Sequence, residues 1–506
     1  RDKGLYCLHE KYFWPVSEND FSEFYKFMYY EYIKIVKDEN NVEINDIAAV
    51  EFSFISQLLQ IFHYNYVREY SSIHNIEFLV GKESKELIDP NWDNIRHYYS
   101  KLTFPHGKVI RIIRRLIRNI VFNKSLPFMQ IIYGLFSKPN FVSIGSMNQV
   151  KKDFIIQQDK FYNHVDWPDL LDVGNTFSDK KIYEFRELFV NNIIDPYLAK
   201  LREHNSFFIK NIDFNKIRNT WSERIFDAYS LYSSLKKSAI STEILITEMS
   251  KPLNKLITVA YQKTDCEVYC FHHGHNAAFK INELGFSINI AHCRNLIVPT
   301  NGIKTRYQKH YSNVNRITNT CTKFISVNSK KMYDTYLNNI TNVVDKVDTI
   351  MIIGYPCHCN RYINSKGLFF KQQIDLEYQI ISILRSQNKR IIYKAHPDRL
   401  AEVKGIFDDL VDNIITDSFE NVWQEADLLI FTYSETTTFG YSLITNIPII
   451  LLDFDEDTRD FDDLQLIDKR IIRIPAKVGD NTQVSFDSML LIEAVAQSEY
   501  RISYDY

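Results

Sequence analysis

Short apolar runs alternate with amphipathic stretches through the second half of the chain. Each run is bounded by polar or glycine residues, which is typical of buried parallel strands. Between two of them, Leu376, Ile380 and Leu384 recur at helical spacing, so a helix is predicted over Gln372–Arg385. The alternation predicts an α/β fold with a doubly wound parallel sheet. The predicted strands are 348–354, 390–393, 427–431 and 447–452, with 470–474 as a possible added edge. A short apolar piece lies at 413–415, and further helices are predicted at 420–425 and 436–444.

The first half has a less regular pattern. Strands are predicted at 4–8, 76–80, 243–247, 267–271 and 295–298, and helices at 21–36, 48–70 and 252–262. We therefore expect a Rossmann-like N-terminal domain over 1–322, with a large helical insertion over about 91–237. A second Rossmann-like domain follows over 323–476. The segment 477–506 is expected to add a helix at 485–495 that packs back across the domains.

Composition and charge narrow the class of protein. A chain of 506 residues with 45% hydrophobic content suits two domains, and a net charge of −3 gives no indication of a nucleic-acid partner. The seven cysteines are scattered, and Cys357-His358-Cys359 lacks a second ligand pair at zinc spacing, so no metal is expected. Without a predicted signal peptide or membrane span, a reduced cytoplasmic protein is the expectation.

Two polar clusters follow predicted strands of the second domain. They are Lys394–Arg399 and Thr432–Gly440, about one strand–helix–strand unit apart. Both should lie at the carboxyl ends of neighbouring strands, where open α/β sheets bind ligands. Hydroxyls and free N–H groups at the start of a helix suit a phosphate, so the clusters predict a nucleotide site. The hydroxyl residues are Ser434, Thr436, Thr437 and Thr438.

Each of these residues also has a simpler interpretation. Ser434 suits an ordinary N-cap, and Glu435 is either an acceptor for sugar hydroxyls or an acidic residue favoured in a first helical turn. Lys394 and Arg399 either add positive charge to the site or are solvated. His396 either donates a hydrogen bond to the nucleotide or packs at the end of its strand.

A second constellation is predicted in the first domain. Glu248 ends one strand, and His272, His273 and His275 surround Gly274 at the end of the next. Glu248 is a candidate nucleophile. Alternatively, it is only an acidic residue near the start of the following helix. Gly274 allows a tight turn, and the histidines are candidates for acid/base chemistry or for binding the donor.

The run from Lys394 to Asp453 and the motif Phe271–His275 resemble bacterial transferases that use cytidine nucleotides. These include the surface-polysaccharide Kdo and sialic-acid transferases and the CDP-glycerol polymerases. The resemblance implies the GT-B architecture, two Rossmann-like domains facing a central cleft. It also implies that His396 and the backbone at Pro397 hold the nucleotide, that Glu248 is the nucleophile of a retaining β-Kdo transferase, and that His273 matches the His-Gly motif. The family pattern has Asp, rather than Glu, as the nucleophile.

The sequence thus predicts a metal-independent glycosyltransferase with no cofactor. Its donor would be CMP-Kdo or a related CMP-activated ulosonic acid, and its acceptor a glycan or polyprenyl-linked glycan of lipopolysaccharide, O-antigen or capsule. A CDP-glycerol-type phosphotransferase and a noncatalytic or epimerase-like nucleotide-sugar binding protein are the alternatives.

A basic amphipathic helix is predicted over Lys108–Phe122. Its arginines recur at i, i+3, i+4 and i+7 and align on one stripe. Such a helix suits peripheral contact with the cytoplasmic face of an anionic inner membrane, and a core helix with a solvated face is the alternative. The arginines are Arg111, Arg114, Arg115 and Arg118.

Overall fold

Two compact units make up the chain in the computed structural model. The first holds Phe24–His273 and Glu283–Ser329, and the second is mainly Lys330–Tyr506. The division follows Ser329, a few residues beyond the predicted start of the second domain at Lys323. The structure describes residues 15–77, 89–100, 113, 116–117, 119–121, 131–132, 141–158, 161–164, 170, 179–238, 243–271, 283–312, 321–339, 346–354, 370–396, 405–434, 436–454, 461–479 and 484–498.

The first unit contains a parallel sheet. Its described strands are β1 (Phe141–Ile144), β2 (Tyr162–His164), β3 (Glu243–Ile246), β4 (Val268–Phe271), β5 (Asn295–Val298) and β6 (Lys323–Ser326). They lie in the order β2-β1-β3-β4-β5-β6, and every neighbouring pair is parallel. The predicted strands β3, β4 and β5 are confirmed.

Three strands of this sheet were not predicted. The region 91–237 was expected to be mostly helical, but β1 and β2 lie within it and pair with each other. β1 also pairs with β3, so this region contributes to the sheet itself and is not simply an inserted helical layer. β6 pairs with β5, which explains why the first unit continues past the predicted boundary at Lys323. The predicted strand 4–8 and most of 76–80 lie outside the described residues.

Helices surround the first sheet, and polar caps begin the longest of them. The Asn41 side chain accepts hydrogen bonds from the first-turn N–H groups of the helix Val42–His74, and Asp213 does the same for the helix Phe214–Lys237. A π-helical turn at Val190–Ile194 joins the helix Asp179–Phe189 to the helix Asp195–Glu203. The helices are α1 (Glu18–Lys37), α2 (Val42–His74), α3 (Trp92–Arg96), α4 (Gln149–Gln158), α5 (Asp179–Phe189), α6 (Asp195–Glu203), α7 (Phe214–Lys237), α8 (Pro252–Tyr261), α9 (Glu283–Asn289) and α10 (Asn301–Tyr311).

A buried ion pair joins α2 to α7. The Arg224 Nε atom donates to Glu51 Oε2 at 2.9 Å, and both side chains are almost completely buried, with 2% and 0% of their surface exposed. Trp221 Nε1 and the Tyr99 hydroxyl also donate to the same carboxylate, at 3.1 and 3.0 Å. These extra donors satisfy a charge that would otherwise be costly to remove from water.

The second unit is built on a mixed sheet. Its described strands are β7 (Thr349–Ile353), β8 (Arg390–Lys394), β9 (Asn413–Ile415), β10 (Leu428–Phe431), β11 (Ile449–Asp453), β12 (Ile471–Val478) and β13 (Val484–Phe486). Their order is β13-β12-β11-β10-β7-β8-β9, and all neighbours are parallel except β12 and β13. The α/β doubly wound prediction is confirmed for this unit, and the expected edge strand at 470–474 is an interior strand, because β13 covers it.

Helices lie on the second sheet, and its strands are buried on both faces. Ile350 and Ile352 of β7 pack into one core, and Met351 and Ile353 into another. The last helix, predicted at 485–495, packs on the helix Phe370–Ser386 and on β12, both of its own unit. The helices are α11 (Lys330–Asn339), α12 (Phe370–Ser386), α13 (Phe419–Val422), α14 (Thr437–Ser442), α15 (Phe461–Arg470) and α16 (Ser488–Gln497), with a 3₁₀ turn at Trp423–Glu425.

Candidate functional site

The strand order places a ligand crevice in the second unit. From β7 the chain proceeds to β8 and β9 on one side, whereas β10, β11 and β12 extend on the other. In open parallel sheets ligands bind at such a reversal, outside the carboxyl ends of the two diverging strands. Gly354 follows β7 and Thr432 follows β10, so these two residues mark the crevice.

A buried polar network lies beneath this crevice. The Tyr393 hydroxyl donates to Glu377 Oε2 at 2.7 Å, and Gln373 Nε2 donates to both Glu377 Oε1 and Thr432 Oγ1. Gly354 makes room for it, because a Cβ atom there would lie 2.4 Å from the Tyr393 hydroxyl oxygen. The network thereby joins the ends of β8 and β10 to helix α12. Sequence reasoning missed these residues, and the glycine after β7 was the only available signal.

The predicted hydroxyl cluster lies at the same crevice. Ser434 and Thr436 lie in the turn between β10 and α14, Thr437 and Thr438 begin α14, and all four are half-buried. The N-cap of α14 is Thr436, whose Oγ1 accepts from the Thr438 N–H at 3.3 Å, and not Ser434. Capping therefore does not use the Ser434 hydroxyl, which is consistent with a ligand-binding role. Glu435 lies outside the described residues.

The other polar cluster is farther away than expected. β8 and β10 are not neighbours, since β7 lies between them. Two strand spacings separate their carboxyl ends by about 10 Å. The expectation that both clusters adjoin directly is therefore wrong, and they flank the crevice from two sides.

At the end of β8 the side chains have different environments. Lys394 is buried, and its Nζ atom donates to the Ala395 carbonyl oxygen at 2.9 Å. Burial lowers the pKa of its ammonium group, and the charges of Asp417 and Glu420 oppose that shift. Lys394 is thus not a solvated surface charge. His396 is half-buried two residues beyond the strand, and Pro397 and Arg399 lie outside the described residues.

The first unit has its own reversal of strand order, between β1 and β3. Gly145 follows β1 with φ of +79°, and a Cβ atom there would lie 2.5 Å from Thr247 Oγ1. The Thr247 hydroxyl donates to the Ser146 carbonyl oxygen at 2.6 Å. This glycine therefore allows the chain segments after β1 and β3 to approach closely. Glu248 comes next in the chain, so the predicted carboxylate lies beside the first unit's crevice.

Glu248 adopts a strained backbone conformation. Its φ of +55° is in the left-handed region, and the other non-glycine residues with positive φ in the described chain are Asn75, Asn211, Asn328 and Asn388. Asparagine tolerates this region, whereas glutamate has no local means of offsetting the cost. Such strain persists only where surrounding contacts impose it, and it clusters at functional sites.

The surrounding contacts identify what imposes the strain. Asn254 Nδ2 donates to the Thr247 carbonyl oxygen at 2.8 Å and to that of Glu248 at 3.3 Å. The Lys251 N–H also donates to the Glu248 carbonyl oxygen, and Lys251 Nζ lies 2.8 Å from Glu248 Oε2. The Glu248 side chain remains 26% exposed. A clamped backbone thus presents a partly accessible carboxylate at the carboxyl end of β3.

A buried lysine lies close to this carboxylate. Lys151, in the first turn of α4, donates from Nζ to the Ile144 carbonyl oxygen at 2.8 Å. Burial lowers the pKa of Lys151 from 10.5 to about 7, and the charge of Glu248 opposes the shift. Sequence analysis did not single out this residue, because its burial depends on the unpredicted strand β1.

Lys151 should give the stability of the protein a measurable pH dependence. Below about pH 7 both the folded and the unfolded states hold the proton, and the cost of the buried charge is fully present. As the pH rises above about 7 only the unfolded state stays protonated, so the unfolding free energy should increase. Lys151→Met should remove this increase in urea titrations at several pH values. The exposed neighbour provides the control Lys152→Met, which should keep the wild-type slope, and an unchanged slope in Lys151→Met would contradict the assignment.

The remaining predicted residues are only partly placed. His272, His273 and His275 lie outside the described residues, directly after β4, which neighbours β3. Glu267 is a further carboxylate near this sheet, but it precedes β4 and so lies at the opposite end of the sheet from Glu248, where it accepts from Asn295 Nδ2 at 2.9 Å. Among the described residues no three His, Cys, Asp or Glu side chains form a group that could hold a metal ion. Cys357 and its neighbours are not among them.

No protein-family model matches the chain, and no curated protein matches it. Within the described part of the chain, no helix is long and apolar enough to cross a membrane.

Proposed function

We propose that the protein is a glycosyltransferase of the GT-B type, which transfers Kdo or a related ulosonic acid from a CMP-activated donor to a bacterial surface-polysaccharide acceptor. The observation that supports this most directly is the strand order of the second unit, which is that of dinucleotide-binding sheets, with a hydroxyl-rich turn at the reversal. The first unit adds a strained carboxylate at its own reversal. The second unit would hold the nucleotide, and Glu248 is the candidate reactive group.

The nucleotide would span the crevice of the second unit. Ser434 and Thr438 offer hydroxyls to a phosphate, and His396 offers an imidazole on the far side of β7. Strand ends about 10 Å apart suit groups that bind opposite ends of a nucleoside monophosphate. We therefore propose that the phosphate of CMP binds near Ser434 and that its ribose lies towards His396.

The chemistry would proceed by two displacements. A Glu248 oxygen attacks the anomeric carbon of the donor, the bond from that carbon to the phosphate oxygen breaks, and CMP leaves with the electron pair. An acceptor hydroxyl then attacks the same carbon, its proton passes to a base such as His273, and Glu248 is released as a carboxylate. Two inversions retain the configuration of the sugar.

Calorimetric titration with CMP, CDP, UMP and UDP, in EDTA, tests the nucleotide assignment. CMP should bind more tightly than the others. His396→Ala should weaken CMP binding by about 1–3 kcal/mol, or roughly fivefold to 150-fold, because a hydrogen bond to the ligand is lost. His204 is a half-buried histidine of the first unit, and His204→Ala should leave the affinity unchanged.

Other results of these measurements would reject the nucleotide site or favour a different function. Equal CMP affinity in the wild type and in folded His396→Ala would reject the binding site. Preference for CDP with transfer of glycerol phosphate would favour the phosphotransferase instead. Tight CMP binding without any sugar transfer to surface-polysaccharide acceptors would favour a noncatalytic binding protein.

A further inference from the structure

A long segment of the first unit contains no acidic residue. From Asn94 to Lys152 the sequence has neither Asp nor Glu, although the whole chain carries a net charge of −3. The basic residues are densest in the middle of this segment, so its charge is strongly positive at neutral pH. Between positions 108 and 124 they are Lys108, Arg111, Arg114, Arg115, Arg118 and Lys124.

The described apolar residues between positions 113 and 121 of this segment are helical, and their side chains are exposed to solvent. The exposed fractions are 50% for Ile113, 41% for Leu116, 56% for Ile117, 50% for Ile120 and 55% for Val121. Their positions follow the spacing i, i+3, i+4, i+7 and i+8, which places all five on one face of a helix. A contiguous apolar face of this kind marks an interaction site, whereas isolated exposed apolar residues do not.

A polar residue anchors this helix on its other side. Asn119 is 2% exposed, and its Nδ2 atom donates to Oδ1 of the buried Asn163 in β2 at 2.7 Å. The polar residue thus faces the protein while the apolar residues face solvent, the reverse of a surface helix that packs on a core. The alternative of a core helix with a solvated polar face is therefore not what these residues show.

We propose that this apolar face, Ile113, Leu116, Ile117, Ile120 and Val121, docks on the surface of an anionic lipid bilayer. Apolar side chains would enter the boundary between headgroups and acyl chains, and the basic residues of the same segment would contact anionic headgroups. The arginines lie outside the described residues, and their charge is a property of the sequence. The charge complementarity selects an anionic surface over a neutral one.

Other occupants account for only part of these observations. A nucleic acid would use the positive charge but would gain nothing from five exposed aliphatic side chains. A second copy of the chain would cover the apolar face but would oppose two segments that are both strongly basic. A bilayer with anionic headgroups uses both features. This proposal is independent of the transferase activity, so either can fail alone.

Vesicle co-sedimentation of the full chain tests the proposal. Binding is expected to vesicles that contain phosphatidylglycerol, to be weak with phosphatidylcholine alone, and to fall as salt increases. Ile117→Asn combined with Ile120→Asn should weaken binding roughly tenfold to a hundredfold, because two apolar side chains no longer enter the bilayer. The matched control is Ile156→Asn, since Ile156 is a 59% exposed isoleucine of α4 outside the proposed face.

Each other outcome would overturn the proposal. Absence of binding to phosphatidylglycerol vesicles would do so directly, as would equal binding by the double variant. Equal losses in the double variant and Ile156→Asn would show a general surface effect. A concentration-dependent dimer that only the double variant abolishes, without vesicle binding, would assign the face to a second copy of the chain.

Discussion

Glu248→Gln should lower sugar-transfer turnover at least about a thousandfold while CMP affinity stays unchanged. The amide keeps the size of the side chain but cannot attack the anomeric carbon, and the residue belongs to a different unit from the proposed nucleotide site. Single-turnover kinetics and calorimetry on the same preparation measure the two effects separately. The control is Glu267→Gln, which changes a carboxylate at the opposite end of the adjacent strand and should retain activity.

The strained backbone allows a second variant to separate function from stability. Glycine adopts positive φ without cost, so the unfolding free energy of Glu248→Gly should be about 1 kcal/mol higher than that of the wild type. The variant should nevertheless be inactive, because it lacks the carboxylate. If Glu248 instead serves the fold, Glu248→Gly should lose stability as well as activity. Full activity of Glu248→Gln would reject the nucleophile, whatever the stability of the glycine variant.

The covalent intermediate provides a direct test of the two displacements. Incubation of the wild type with donor alone should add the mass of the sugar to the peptide that carries Glu248. Glu248→Gln should show no such addition. An inverted product would exclude double displacement and would favour direct attack by the acceptor hydroxyl, with another residue as base.

The strands of the second unit could be predicted because burial on both faces leaves a continuous apolar run in the sequence. Ile391–Tyr393 and Leu428–Phe431 are buried throughout, and each was predicted to within a residue or so. Strands β1 and β2 have only four and three residues, between helical segments, so local pattern gives them little weight. Their place in the sheet depends on pairing with distant residues.

Strand order could not be predicted from these patterns. β8 and β10 are close in the sequence, but β7 separates them, since the chain returns to the other side of β7 after β9. The location of both polar clusters at carboxyl strand ends was predictable, because a parallel sheet fixes the direction of every strand. Their separation was not, since it depends on the order in which the strands pair.

The candidate catalytic residue Glu248 was likewise predictable only in part. Glu248 was predicted from its position at the end of an apolar run, which needs only local information. Its left-handed backbone and the clamp by Asn254 depend on where α8 places the Asn254 side chain beside the residues that follow β3, so the strain could not be predicted from local pattern. The place of Glu377 in a buried polar network could not be predicted either, because it depends on the Tyr393 hydroxyl, which lies beside helix α12 only in the folded structure.

Arg224→Met should produce the largest loss of stability, about 3–5 kcal/mol, in the first unit. The methionine fills similar space but leaves the carboxylate of Glu51 buried without its cation, in a site where both side chains are almost fully excluded from water. Urea unfolding followed by tryptophan fluorescence is a suitable measurement, because Trp221 donates to the same carboxylate.

The same helix provides the control for this loss. Arg218 pairs with Asp195 at 2.6 Å, a closer contact than that of the buried pair, but both side chains are about two-fifths exposed. Water screens such a pair, so Arg218→Met should cost no more than about 1 kcal/mol. Equal losses of unfolding free energy in the two variants would show that replacing either arginine of α7 destabilises the protein, whether or not it is buried. A much larger loss in Arg224→Met would show that burial, and not the shorter distance, decides how much the paired charge stabilises the fold.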